Sequence, residues 1–266
     1  MTIYEEALTA HRNWRGKIEV MSKINVLSKE DLSLAYTPGV AEPCRKIAEN
    51  NELAYDYTWK GNSVAVVTDG TAVLGLGDIG PAAALPVMEG KALLFKEFAG
   101  IDAVPICLDT TDPQEIIQIV KALAPTFGGI NLEDISAPRC VEIERALIEA
   151  LDIPVFHDDQ HGTAVVVTAA LINALKLVKK IPQNLKVVVS GTGAAGSAII
   201  KMLIDLGVKK IIAFNKEGAL HQTMENATFV EKEILEVITP KDFTGTMAEA
   251  FVGADVFIGV SAPNLV

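Results

Sequence analysis

Cysteine is scarce: the 266-residue chain has three, Cys44, Cys107 and Cys140, far apart and with no Cys-x-x-Cys pair. A disulfide scaffold needs denser, usually even cysteines, so a reducing, cytoplasmic compartment is expected. Runs of Lys or Arg are also missing. Lys and Arg number 23 against 34 Asp and Glu, a net charge of −11. A chain this acidic is a poor binder of phosphate backbones over a broad face, so no nucleic acid partner is expected. The start, Met1-Thr-Ile-Tyr-Glu-Glu6, lacks a basic region followed by an apolar core, which argues against a signal peptide. The longest apolar stretch, Gly162 to Leu175, contains Thr and Asn and reads as too short to span a bilayer, so no membrane partner is expected either. Low-complexity tracts and internal repeats are absent.

What remains is a globular composition. Hydrophobic residues make up 50% and charged residues 21%, ample for a packed core. At about 150 residues per domain the length suggests one or two domains.

Periodicity predicts an α/β chain. Residues 2–13 read as a helix. Ser28 with Asp31 resembles an N-cap with an acidic first turn, and Pro43 opens a helix after the loop Tyr36–Gly39. Val64–Thr68 reads as a buried strand, and Pro81 starts a long helix stopped by Gly100. A regular series follows: strand Ala103–Leu108, helix Asp112–Ala124, strand Gly129–Leu132, helix Ala137–Leu151, strand Ile153–Phe156. Brief apolar strands, each followed by an amphipathic helix, signal a parallel sheet with crossovers. A helix at 162–178 leads to the polar step Lys179–Asn184, the best boundary. Beyond it lie strand Lys186–Ser190, helix Ala194–Leu206, strand Lys209–Phe214, a helix near Thr246–Val252 and strand Val256–Val260.

The pattern Gly-x-Gly-x-x-Gly occurs twice. Gly191, Gly193 and Gly196 follow the strand Val187-Val-Val-Ser190 and open a helix, the context of a Rossmann-type dinucleotide site. Gly191-Thr192-Gly193-Ala194-Ala195-Gly196 would bring the pyrophosphate to the helix N-terminus. Asn215 ends the next strand, close to the ~20-residue spacing of a ribose-binding residue. Gly75, Gly77 and Gly80 have no such strand and read as a turn or a glycine-rich active-site segment.

Two acidic pairs end successive strands. Glu133-Asp134 follows Gly129–Leu132, and Asp158-Asp159 follows Ile153–Phe156. Ligands of open parallel sheets bind beyond the carboxyl ends of strands. The pairs can therefore converge on a hard cation, Mg²⁺ or Mn²⁺. The alternative is helix N-capping by Asp134 and Asp159. His157 and His161 have zinc-like spacing, but the first ends a strand and the second begins a helix, so they should not share a face. His11 and His221 read as surface residues. Lys91, alone in an apolar helix, and Tyr36 carry no catalytic signal of their own.

Together these segments resemble a known family. Ser33–Ala41 (SLAYTPGVA), Val67–Gly80 (VTDGTAVLGLGDIG), Glu89-Gly-Lys91 and His157–Ala164 (HDDQHGTA) are similar to the malic enzymes in their short bacterial form, and the likeness covers essentially the whole chain. The resemblance implies oxidative decarboxylation of L-malate to pyruvate and CO₂, with reduction of NAD or NADP. It implies Tyr36 as general acid, Lys91 as general base and Asp158 as the charge partner of Lys91. It makes Glu133, Asp134 and Asp159 the metal ligands and adds Thr163 to the cofactor residues. Residues 1–160 would form the malate- and metal-binding domain, and 161–266 a linking helix with the Rossmann-type NAD domain. About three strands of that domain precede Val266, where a full one has six, so an incomplete nucleotide fold is expected. A homodimer fits the family habit and the apolar fraction.

The chain departs from the family at Ala72, where many malic enzymes place an Arg for the substrate carboxylate. Lys23, Arg45, Lys96 and Arg139 stay open as replacements. Neutral Asn215, followed by Lys216, implies NAD as the working cofactor with weak discrimination against NADP. The competing functions are a malolactic or oxaloacetate-decarboxylating relative, and a non-catalytic nucleotide- or metal-binding protein should the chain truly end at Val266.

Overall fold

A computed structural model describes residues 2–261; the segment 262–266 lies outside them. The chain runs α1 (Ile3–Trp14), α2 (Lys29–Ala35), α3 (Ala41–Glu49), α4 (Ala54–Tyr57), β1 (Ser63–Thr68), α5 (Gly80–Ala99), β2 (Asp102–Cys107), α6 (Pro113–Leu123), β3 (Gly129–Leu132) and α7 (Arg139–Ala150). It continues through β4 (Val155–His157), α8 (Asp158–Val178), β5 (Lys186–Ser190), α9 (Ala194–Asp205), β6 (Lys210–Asn215), β7 (Gly218–Ala219), α10 (Phe229–Val237), α11 (Met247–Phe251) and β8 (Val256–Gly259). Contacts divide it into two interleaved units: Met1–Asn131 with Leu147–Val155, and Leu132–Ala146 with Phe156–Val266.

The first unit carries β1, β2 and β3 up to Asn131, in a sheet of order β2-β1-β3-β4. β1 and β2 are parallel, from Ser63 opposite Asp102 to Thr68 opposite Cys107. Ala65, Val66 and Val67 are fully buried, as expected of strands covered on both faces. Ala84, Met88 and Ala92 form one buried stripe of α5, and Met88 and Ala92 pack on Val66 and Ala103. Lys17 ties the segment after α1 to this helix, donating from its amide to Glu89 and from Nζ to the Pro86 carbonyl. Ser28 and Asp31 form the capping box of α2, as the sequence predicts.

The second unit carries the order β7-β6-β5-β8. β5 pairs in parallel with β6 on one side and β8 on the other. The strand order therefore reverses at β5, the switch point beyond which open α/β sheets bind ligands. Val188, Ile212, Phe214, Ala219 and Ala250 form one core, with Phe243 edge-on to Phe214.

Several expectations need correction. β4 spans Val155–His157 rather than Ile153–Phe156. Pro154 has no N–H for a ladder; only its carbonyl is used, accepting from Ile130. α8 starts at Asp158, not at 162, so both acids of the second pair are helical. The resulting 21 residues are long and apolar enough, by length and composition, to cross a membrane. Its residues Ala164, Thr168, Leu171 and Leu175 are buried, and the helix packs against α9. α10 and β7 have no counterpart among the sequence-predicted elements.

Candidate functional site

The acidic pairs meet. Ligand oxygens of Glu133, Asp134 and Asp159 all lie within 4.8 Å of one another, with Glu133 and Asp134 buried. Glu133 directly follows β3. Asp134 turns the chain with φ +52°, in the left-handed region that Asp tolerates better than most side chains. Its backbone amide donates to Asp159 Oδ2 at 3.0 Å, joining the two strand ends. N-capping does not explain these acids. α7 begins at Arg139, beyond Asp134, and the N-cap of α8 is His157, which makes no side-chain cap bond. Three converging carboxylates, two of them buried, repel one another unless a cation compensates. The donors are all oxygen, which suits Mg²⁺ or Mn²⁺.

Glu144 of α7 fixes the start of α8. Its buried carboxylate accepts from the His157 amide at 2.9 Å and from Gln160 Nε2 at 3.1 Å. His161 Nε2 lies 2.9 Å from the same carboxylate, whose hydrogen bond pushes the imidazole pKa up against the effect of burial. His157 is buried, and burial pushes its pKa down although Asp159 and Glu144 oppose this. Nothing in these positions makes a histidine zinc site. Gly162 lies one turn after Asp158, and a Cβ there would stand 2.2 Å from Asp158 Oδ1. Burial, with Asp159 and Glu144 adding, pushes the Cys140 thiol up to about 12, so it stays protonated.

A pocket of about 890 Å³ opens beyond β5, in the range of small-molecule sites. Gly191, Thr192, Gly193 and Asn215 line it. Ala194, Ala195 and Gly196 begin α9 directly after that turn. A Cβ on Gly196 would lie 1.8 Å from the Gly191 carbonyl oxygen, so the close approach of helix and turn requires glycine there. Thr163 lies on α8 and is not among the lining residues.

The lining also contains residues that sequence reasoning missed: Ala137 and Pro138 from the segment after Asp134, and Thr228 and Glu231 from the start of α10. Glu231 is 6% exposed. Its Oε1 accepts from Thr192 Oγ1 at 2.6 Å and from Asn215 Nδ2 at 2.9 Å. Its Oε2 accepts from the Thr228 amide at 2.8 Å. Burial pushes this carboxyl up, but the bonds from Thr192, Thr228 and Asn215 outweigh it and hold the pKa below its ordinary value. The signal for Glu231 was a capping box, Thr228-x-x-Glu231.

Tyr36 and Lys91 belong to the first unit. Tyr36 is the C-cap of α2 and 67% exposed; Lys91 is half-buried on α5. Asp158 is in the second unit, in the first turn of α8. Of the open carboxylate binders, Arg45 pairs with Glu42 and Lys96 with Asp102, while Arg139 donates to Ser136 Oγ. Gly75 and Gly77 shape a tight turn closed by the Val73–Gly77 bridge, and Gly80 opens α5.

The family model for the malic enzyme N-terminal domain matches residues 15–114 and 110–148. The NAD-dependent malic enzyme of Geobacillus stearothermophilus is 62% identical over 252 residues, covering 94% of this chain and 52% of that protein. The bifunctional malic/malolactic enzyme of Bacillus subtilis is 56% identical over 262 residues, covering 98% and 64%. The chain thus spans roughly half to two thirds of these curated relatives. The crystal structure of an NAD-dependent malic enzyme from Thermotoga maritima superposes with TM-score 0.94 at 53% identity, covering 98% of this chain and 70% of that one.

Proposed function

The chain belongs to the malic enzyme family, and from that premise we propose that it serves oxidative decarboxylation of L-malate to pyruvate and CO₂, with reduction of NAD and dependence on Mg²⁺ or Mn²⁺. One observation carries this reading. The short segment 133–138 bears Glu133 and Asp134 at its start and the pocket-lining Ala137 and Pro138 at its end. A cation and a dinucleotide are thereby served by one stretch of chain.

The roles follow from residue chemistry. Glu133, Asp134 and Asp159 would hold the cation, which when bound polarises the substrate's C2 oxygen and withdraws electrons as CO₂ departs. The nicotinamide supplies the hydride acceptor. Lys91 takes the proton of the C2 hydroxyl. Tyr36 returns a proton to C3 of the product enolate, and its phenol suits that step. Asp158 has an orienting role. Gly191, Thr192 and Gly193 receive the pyrophosphate, with Asn215 at the ribose.

The three free cysteines support a reducing, cytoplasmic setting. A homodimer belongs to the same reading, as the family habit implies. The test is reduced-cofactor absorbance on adding L-malate, Mn²⁺ and NAD. NADH should form and should stop with EDTA. The name of the Bacillus subtilis relative favours a second reading, malolactic turnover, which yields lactate without net NADH.

A further inference from the structure

Asn215 stands where the second strand of a nucleotide fold usually presents an acid to the ribose. Its side chain is engaged at both ends: Nδ2 donates to Glu231, and Oδ1 accepts from the Glu217 amide at 2.8 Å. A buried, fixed negative charge comes instead from another element, the first turn of α10. Glu231 bridges Thr192, in the phosphate-binding turn, and Asn215, at the ribose end. Three donors hold it in one place. Lys216 and Glu217 also line the pocket, but both are exposed and opposite in charge.

We propose that Glu231 is the residue that makes this pocket select NAD over NADP, an inference that rests on the dinucleotide reading above. A ribose 2′-hydroxyl is a donor and suits a carboxylate. A 2′-phosphate is an acceptor carrying about two negative charges. It would face a buried carboxylate that cannot swing away without abandoning Thr192, Asn215 and Thr228. Like charges brought together at low dielectric repel strongly. The weak discrimination expected from a neutral Asn215 gives way to a strong one, because the charge missing at the strand end is supplied from α10. Substrate preference is thus set by a side chain whose local duty is to cap a helix.

Direct titration of NADH and NADPH, followed by nicotinamide fluorescence, tests this with wild type, Glu231→Gln and Asn215→Ala. Gln serves equally at this capping-box position, and a thermal melt reports whether α10 stays in place. Wild type should bind NADH at least about tenfold tighter than NADPH. Glu231→Gln should shrink that ratio about tenfold, chiefly by tightening NADPH. Asn215→Ala should weaken both cofactors and leave the ratio within about twofold, because Thr192 and the Thr228 amide still hold Glu231, which keeps the idea testable even if Glu231→Gln folds poorly. A purely structural Glu231 would weaken both cofactors alike, and that result overturns the assignment. So does a ratio set by Asn215. If wild type binds neither cofactor, the dinucleotide reading itself falls; if it binds NADH and Glu231→Gln leaves the ratio unmoved, only Glu231's role falls.

Discussion

The backbone amide of Asp134 donates to Asp159 Oδ2 at 3.0 Å, across 25 residues of sequence. This bond joins the turn after β3 to the first turn of α8 and places three carboxylates within 4.8 Å. Asp159→Asn keeps the volume and an acceptor for that amide but removes one anionic ligand. Mn²⁺ affinity, read by calorimetry, should fall at least about tenfold, and metal-dependent activity should vanish while the melting temperature of the metal-free protein holds or rises. Near-native Mn²⁺ binding would remove the metal assignment.

Metal removal has its own signature. A ligand that binds only the folded state at 100 times its Kd adds about 2.7 kcal/mol. EDTA should therefore lower Tm of wild type clearly more than that of Asp159→Asn, which at tenfold weaker affinity keeps about half of that stabilisation. Equal shifts in both proteins would place the cation elsewhere.

Glu144 touches no proposed ligand, yet it holds the start of α8 through the His157 amide, Gln160 and His161. Partners that orient ligands typically contribute about 10–100-fold to metal affinity. Glu144→Gln should weaken Mn²⁺ by about tenfold with little change in Kd for NADH. Unchanged Mn²⁺ affinity in a folded variant contradicts this.

Gly162→Ala sets a Cβ 2.2 Å from Asp158 Oδ1. The clash is with the end of a side chain, so Asp158 moves and the helix survives. Alanine also favours the helix by roughly 0.5–1 kcal/mol. The expected variant is at least as stable as wild type but has a lower kcat. Full activity would show that the position of Asp158 is immaterial.

Arg145 of α7 and Lys201 of α9 both grip Glu233 of α10, at 2.7 to 2.9 Å. The hydrogen bonds of Arg145 first, then those of Lys201, hold the Glu233 carboxyl down to about 2. A folded pKa below the ordinary 4.5 gives stability that is present above pH 4.5 and lost as pH falls toward 2. Glu233→Gln should lower stability at neutral pH by about 1 kcal/mol or less, since these groups are partly exposed. The gap should close through that acid window. A gap independent of pH would show that the ion pairs contribute nothing.

The sheets were legible because their strands are short apolar runs with clear stops: Gly129–Leu132 ends at two acids and Lys186–Ser190 at a glycine turn. The convergence of Glu133, Asp134 and Asp159 was legible because parallel strands deliver their carboxyl ends to one edge. The start of α8 was misplaced because Asp158-Asp159-Gln160-His161 looks like a polar loop, whereas Glu144, distant in sequence, supplies its partners. Glu231 was missed for a related reason. Its capping box is local, but its bonds to Thr192 and Asn215 exist only after α10 folds back over the pocket. Local chemistry identified the residues that motifs carry and left unread those that tertiary packing recruits.

The most direct measurement is product analysis with L-malate, NAD and Mn²⁺, counting pyruvate, lactate and NADH together. Malic enzyme turnover at the three carboxylates yields pyruvate and NADH in equal amounts, abolished by EDTA and by Asp159→Asn. Lactate without net NADH, or NADH formation that survives loss of the metal site, contradicts it.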